Sequence, residues 1–209
     1  MSLFLGKIHY WLYNKIVWAE KMEQDIVLWA KNQDLPGDQW LEEAIDKYGE
    51  PTGNKPLEDI IDTGNIHGWL QARIESAELR QAYIVTTLLT ANPDLKDGVT
   101  QLFKNQGEAA AKVYEQAITT PEDAFNALND FILEGMPCDR VNEIISSDEK
   151  KHIWRTTACL HKLYWNKVDG DISIFYMLRD TWVKAFIEAL TPTFTYTKTE
   201  TLMHEIEMI

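Results

Sequence analysis

Gly6 to Glu20 reads GKIHYWLYNKIVWAE, and Gly64 to Glu78 reads GNIHGWLQARIESAE. Both fit the pattern G-x-I-H-x-W-L-x-x-[K/R]-I-x-x-A-E, with every shared position displaced by 58 residues. A match this dense marks an internal repeat. In each copy apolar residues recur at three- and four-residue spacing: Ile8, Leu12, Ile16 and Ala19, then Ile66, Leu70, Ile74 and Ala77. That period is the signature of an amphipathic helix. The first copy extends toward Lys31 and stops at Leu35-Pro36-Gly37-Asp38; the second extends toward Thr90 and stops at Asn92-Pro93. Two long helices of one pattern are therefore expected in the first half of the chain.

Working outward, the spacing predicts short helices over about 39–47, 95–104, 108–117 and 122–133. Thr120 before Pro121-Glu122-Asp123 is a start signal, with threonine as N-cap and proline at the first helical position. After Glu134-Gly135-Met136-Pro137 the texture changes. Val141 to Ser146 and His152 to Cys159 read as a hairpin around a polar turn. Helices follow over about 160–168 and 172–190, and two strands over 193–199 and 202–209 close the chain. The expected fold is α+β and mostly α. An N-terminal helical bundle (1–135) carries the two repeated helices, and a ββααββ part (136–209) with a small antiparallel sheet packs on it, as a second unit or as one continuous domain.

The composition limits partners. A net charge of −13 repels nucleic acid and anionic membrane surfaces. No apolar run approaches the length of a membrane span, and the N-terminus lacks the pattern of a secretory signal. Cys138 and Cys159 are too few for a disulfide framework, so free thiols in the cytoplasm are expected.

The repeat sets a histidine and a glutamate eleven residues apart on each long helix: His9 with Glu20, and His67 with Glu78. Eleven helical steps return to within about 20° of the same face, about 16 Å along the axis. Antiparallel packing on these faces would bring His9 level with Glu78 and Glu20 level with His67. Such a set suits a divalent metal. Against this, helical metal sites favour spacings of three or four. Buried His/Glu pairs also occur simply as mutually satisfied core groups. The one Glu-x-x-His, Glu149 to His152, falls in the expected hairpin.

Cys159 is expected to close a strand just before a helix that begins Leu160-His161-Lys162. A thiol there would feel the positive end of the helix dipole, with Arg155 and Lys162 nearby in sequence. His161 is one candidate base, although residues two apart diverge by about 200° on a helix; His9, His67 or His152 would have to arrive through the fold. The bland alternative is a small buried hydrophobe.

The string Ile153-Trp154-Arg155-Thr156-Thr157-Ala158-Cys159-Leu160-His161 resembles the strand–cysteine–helix segment of the L-2-amino-thiazoline-4-carboxylic acid hydrolase-like proteins. Ala189 to Leu202, with Pro192-x-Phe194-x-Tyr196 and a later Thr201-Leu202, resembles their closing strands. The final strand departs from them: it reads Met203-His204-Glu205-Ile206-Glu207 where family members carry a Gly-Asp and a late cysteine. The resemblance covers about the last third of the chain. It implies hydrolytic opening of a small cyclic C–N bond, with Cys159 and His161 catalytic and with Arg155, Arg179 and Trp154 as substrate contacts. The competing readings are a helical module that binds a metal or small molecule without chemistry, and a structural protein whose helices and edge strand build a homo-oligomer.

Overall fold

A computed structural model describes residues 5–199 and 202–209. Helix α1 spans Lys7–Lys31 and α4 spans Ile66–Ala91; between them lie α2 (Gly37–Tyr48) and the single turn α3 (Leu57–Ile60). Helices α5 (Lys96–Lys112) and α6 (Pro121–Asn129) follow, then strands β1 (Asn142–Ser147) and β2 (Lys151–Thr156). Helices α7 (His161–Lys167) and α8 (Ile172–Leu190) lead into β3 (Phe194–Lys198) and β4 (Met203–Met208). The four strands form one antiparallel sheet in the order β1-β2-β4-β3. The fold is thus α+β and mostly α, with the sheet in the C-terminal part.

The repeated apolar positions meet each other. Leu12, Ile16, Leu70 and Ile74 form a small core with Leu57, Ile61 and Leu133. The two long helices run parallel, however, not antiparallel. His9 and His67 are neighbours, with ring centroids 5.7 Å apart, and Tyr13 lies beside Trp69. The connection explains the direction. A Cβ on Gly37 would sit 2.6 Å from the carbonyl oxygen of Val27, so α2 starts at the far end of α1. The chain then returns along α1: the Thr52 amide meets Glu20, and the Tyr13 hydroxyl donates to the Lys55 carbonyl. It has come back level with the start of α1 before α4 begins.

A larger core crosses the 135/136 boundary and joins residues of α1, α2 and α4 to those of α5, α6, α8 and the sheet. Its tightest junction is α5 against α8. The expected pair of helices over 95–117 is a single α5, and Gly107 is the reason. A Cβ there would stand 2.5 Å from the Trp182 carbonyl oxygen, so the glycine serves close packing and the helix continues through it. The usual penalty for a mid-helix glycine, about 1 kcal/mol, is outweighed by this contact.

One polar cluster is sealed inside the helical part. Arg80 is fully buried; its Nε donates to Glu23 (2.8 Å), its Nη2 to Glu20 (3.1 Å), and its Nη1 to the Gly49 carbonyl and the Ser76 hydroxyl. Glu20 also accepts from the Thr52 amide and hydroxyl. Burial pushes the Glu23 carboxyl up to about 7, against the pull of Arg80. The cluster ties α1 and α4 to the returning loop.

Candidate active site

The chain leaves β2 at Thr156 and turns toward α7 through Thr157, whose amide and hydroxyl both donate to the Val141 carbonyl. Cys159 lies in this loop, half-buried, with Leu160 as the N-cap of α7. The strand therefore ends three residues before the thiol rather than on it. With only seven residues in α7, and Cys159 outside its cap, the expected dipole effect has little to act through.

Cys159 lines a cavity of about 30 Å³, together with Glu134, Thr156, His161, Tyr176, Arg179, Lys198 and His204. Burial first, and then the neighbouring Cys159, push the Tyr176 phenol up. The phenol therefore keeps its proton.

His161 stands beside the thiol but does not serve it. Its Nδ1 faces Glu78 Oε2 at 3.0 Å and its Nε2 faces Glu134 Oε2 at 3.3 Å. Two carboxylate partners assign a proton to both nitrogens. Burial opposes that charge, but Glu78 and Glu134 outweigh it and raise the imidazole to about 9. The ring also stacks on Phe175 at 4.1 Å. Glu134 is held low, to about 2: desolvation works against ionisation, and Arg179 and His161 overcome it. Arg179 Nη1 bonds Glu134 at 2.7 Å and Nη2 bonds the Leu133 carbonyl at 3.0 Å, which leaves three guanidinium N–H groups free to meet a ligand.

The opposite wall is neutral. Burial, reinforced by the Lys198 charge, lowers His204 to about 4. Thr156 donates to Asn142, so the His204 Nε2–H donates to Thr156 and its Nδ1 accepts from the Tyr196 hydroxyl at 2.8 Å. Trp154 stacks on the same imidazole, with planes 9° apart. Lys198 is paired with Asp180 at 2.7 Å.

The structure brings Cys159, His161 and Arg179 to one cavity, as the sequence suggested. Arg155 is elsewhere: strand alternation turns it to the outer face of the sheet, where it is exposed and paired with Glu143. Trp154 is buried and supports His204 instead of facing the cavity. The four repeat residues do not assemble. Glu78 goes to His161, Glu20 to Thr52 and Arg80, His9 accepts from the Gly6 amide, and His67 is exposed. Parallel packing is the cause, because it sets like residues side by side. No group of three or more His, Cys, Asp or Glu side chains suited to a metal ion occurs among the described residues.

A second cavity, of about 60 Å³, lies on the other side of Phe175 and Arg179. Lys15, Glu78, Gln81, Gln106 and Arg179 supply its polar lining, and aromatic and aliphatic side chains such as Trp18, Met22, Phe103 and Trp182 the rest. The sequence reading passed over Lys15, Glu134, Tyr176, Lys198 and His204. Lys15 had a signal: it lies three residues after Leu12, on the apolar stripe of α1. Glu134 likewise follows the apolar run Phe131-Ile132-Leu133. Tyr176, Lys198 and His204 carried no local mark.

Compared with known proteins, the chain matches no family model, no curated protein and no solved structure.

Proposed function

We propose that this chain is a hydrolase-like enzyme that opens a small cyclic C–N bond at the cavity beside Cys159. One observation carries the reading. A half-buried thiol, a phenol that keeps its proton and the cationic His161 and Arg179 converge on about 30 Å³ of space. That space suits the reacting end of a small substrate rather than a polymer. The sulfur adds to the trigonal ring carbon and its proton passes to the ring nitrogen as the C–N bond breaks. Water then adds to the same carbon and releases the thiol, so the net change is addition of one water. His161 and Arg179 stabilise negative charge that develops on the way. The free N–H groups of Arg179 suit a substrate carboxylate. The resemblance of Ile153 to His161 to the L-2-amino-thiazoline-4-carboxylic acid hydrolase-like proteins supports the same class, and the unpaired state of Cys138 and Cys159 suits the cytoplasm.

The test is incubation with 2-amino-thiazoline-4-carboxylate and a panel of small cyclic amides and ureas, with product identified by mass. Cys159→Ala should abolish turnover while circular dichroism stays unchanged. Full activity in that variant overturns the thiol mechanism, and no turnover of any panel member by the wild type overturns the reading.

A homo-oligomer is a second reading. It is favoured by the outer position of β1 and β3 in the sheet and by the exposed Ile144 and Ile145 on β1. Light scattering that finds only monomer at low micromolar concentration removes it. No helix among the described residues is long and apolar enough to cross a membrane.

A further inference from the structure

The repeat carries the same device twice, with different surroundings. In each copy a tryptophan is followed four residues later by a cation, which folds over its ring. Lys15 Nζ lies 3.3 Å from the Trp11 ring centroid, and the Arg73 guanidinium carbon lies 5.8 Å from that of Trp69. The second copy is at the surface, where Arg73 reaches the Glu50 carbonyl. The first copy is inside. Lys15 is only 4% exposed, and its ammonium packs on the Trp11 ring. It lines the cavity of about 60 Å³ behind Arg179.

A lysine buried this deeply is costly as structure alone, since a methionine would fill the same volume without a charge to desolvate. The position also has an amine where its repeat partner has a guanidinium, and only the amine can release its proton and act as a nucleophile. At about 10–15 Å³ per water, the cavity holds about four to six waters, the space of a two- or three-carbon acid. Arg179 also lines it, and three of its N–H groups make no hydrogen bond among the described residues.

We propose that this second cavity is a carbonyl-binding site, in which Lys15 captures a small aldehyde or 2-oxo acid as an imine while Arg179 receives the carboxylate. The amine nitrogen forms a bond to the carbonyl carbon, and the carbonyl oxygen leaves as water with two protons from nitrogen and solvent. Hydrolysis reverses the step, so no redox partner is needed. The site does not depend on the Cys159 reading.

The electrostatics suit the step. Burial lowers Lys15 to about 7; Asp130 and Glu134 pull the other way, and Arg179 adds to the lowering. About half of the amine is then free at neutral pH, roughly a thousandfold more than for an ordinary lysine. Glu78 on α4 lines the same space.

The test is reductive trapping. Protein is incubated with glyoxylate or pyruvate and sodium cyanoborohydride, whose hydride converts the imine to a stable secondary amine. Adducts are located by peptide mass mapping. The expected result is one adduct on the peptide that contains Lys15, formed at least tenfold faster than any on an exposed lysine. Its formation should rise with pH around a midpoint near 7. Lys15→Gln should lose the adduct, and Cys159→Ala should keep it at the wild-type rate. Adducts spread over exposed lysines with Lys15 unmodified, read on the wild-type protein alone, overturn the proposal. So does unchanged labelling in Lys15→Gln.

Discussion

Replacing Lys15 with methionine should expose a pH dependence that the wild type conceals. His161 titrates at about 9 in the folded protein against an ordinary 6.5. A pKa raised on folding stabilises the fold; the gain is complete below about 6.5 and is lost as pH rises through about 9. Lys15 does the reverse, at about 7 folded against 10.5 unfolded. Between those values the unfolded chain holds a proton that the folded one has released, so stability climbs with pH. Each slope is one proton, about 1.4 kcal/mol per pH unit, and over pH 7–9 the two have opposite sign. Wild-type stability should therefore be nearly level across that interval. In Lys15→Met only the His161 slope remains, and stability should fall by about 2 kcal/mol between pH 7 and 9, because the slope fades as pH reaches the folded value. Urea unfolding at half-unit steps reads this directly. With a urea dependence of about 2 kcal/mol/M, the midpoint drops by roughly 1 M. A Lys15→Met profile as level as the wild type's would refute either the cationic His161 or the uncharged tendency of Lys15.

Three further outcomes follow from the packing. Arg80→Met leaves Glu20 and Glu23 buried without their cation and should cost about 3–5 kcal/mol in urea unfolding at pH 8. Glu23→Gln should cost less than about 1 kcal/mol at pH 6, because the carboxyl already holds a proton below about 7. Gly107→Ala forces a methyl group against the Trp182 carbonyl and should cost about 1–3 kcal/mol, read as a lowered urea midpoint.

Much of the fold was legible because it is written locally. The expected span of α8, about 172–190, coincides with the helix, since Asp171 caps its start and Pro192 follows its end. The strands fell within a few residues of their expected positions because Thr alternates with aromatic residues in β3, and apolar with polar residues in β2. Gly107 misled because its cause lies some seventy residues away, in α8. The direction of α1 against α4 was not legible either. It depends on the return path of α2 and α3, and periodicity says nothing about a path. Of the site, Cys159 and Arg179 could be picked out by residue type, but Glu134 and His204 could not. They become neighbours of the thiol only when a loop and the last strand are folded over it. Arg155 looked equivalent to its neighbours in sequence, yet one residue of strand alternation places it outside.

The parallel setting of the two long helices relates the duplicated segments by a shift sideways, not by a dyad. A dyad would have gathered both histidines and both glutamates about one axis, the arrangement from which symmetric dinuclear centres are made. A sideways shift gives each copy its own neighbours, so a shared pattern does not oblige the copies to share a task. Glu20 became ballast inside a sealed cluster, and Glu78 became the counter-ion of an imidazolium facing a chamber. Two segments of one pattern thus meet different surroundings, and their orientation is what separates their roles.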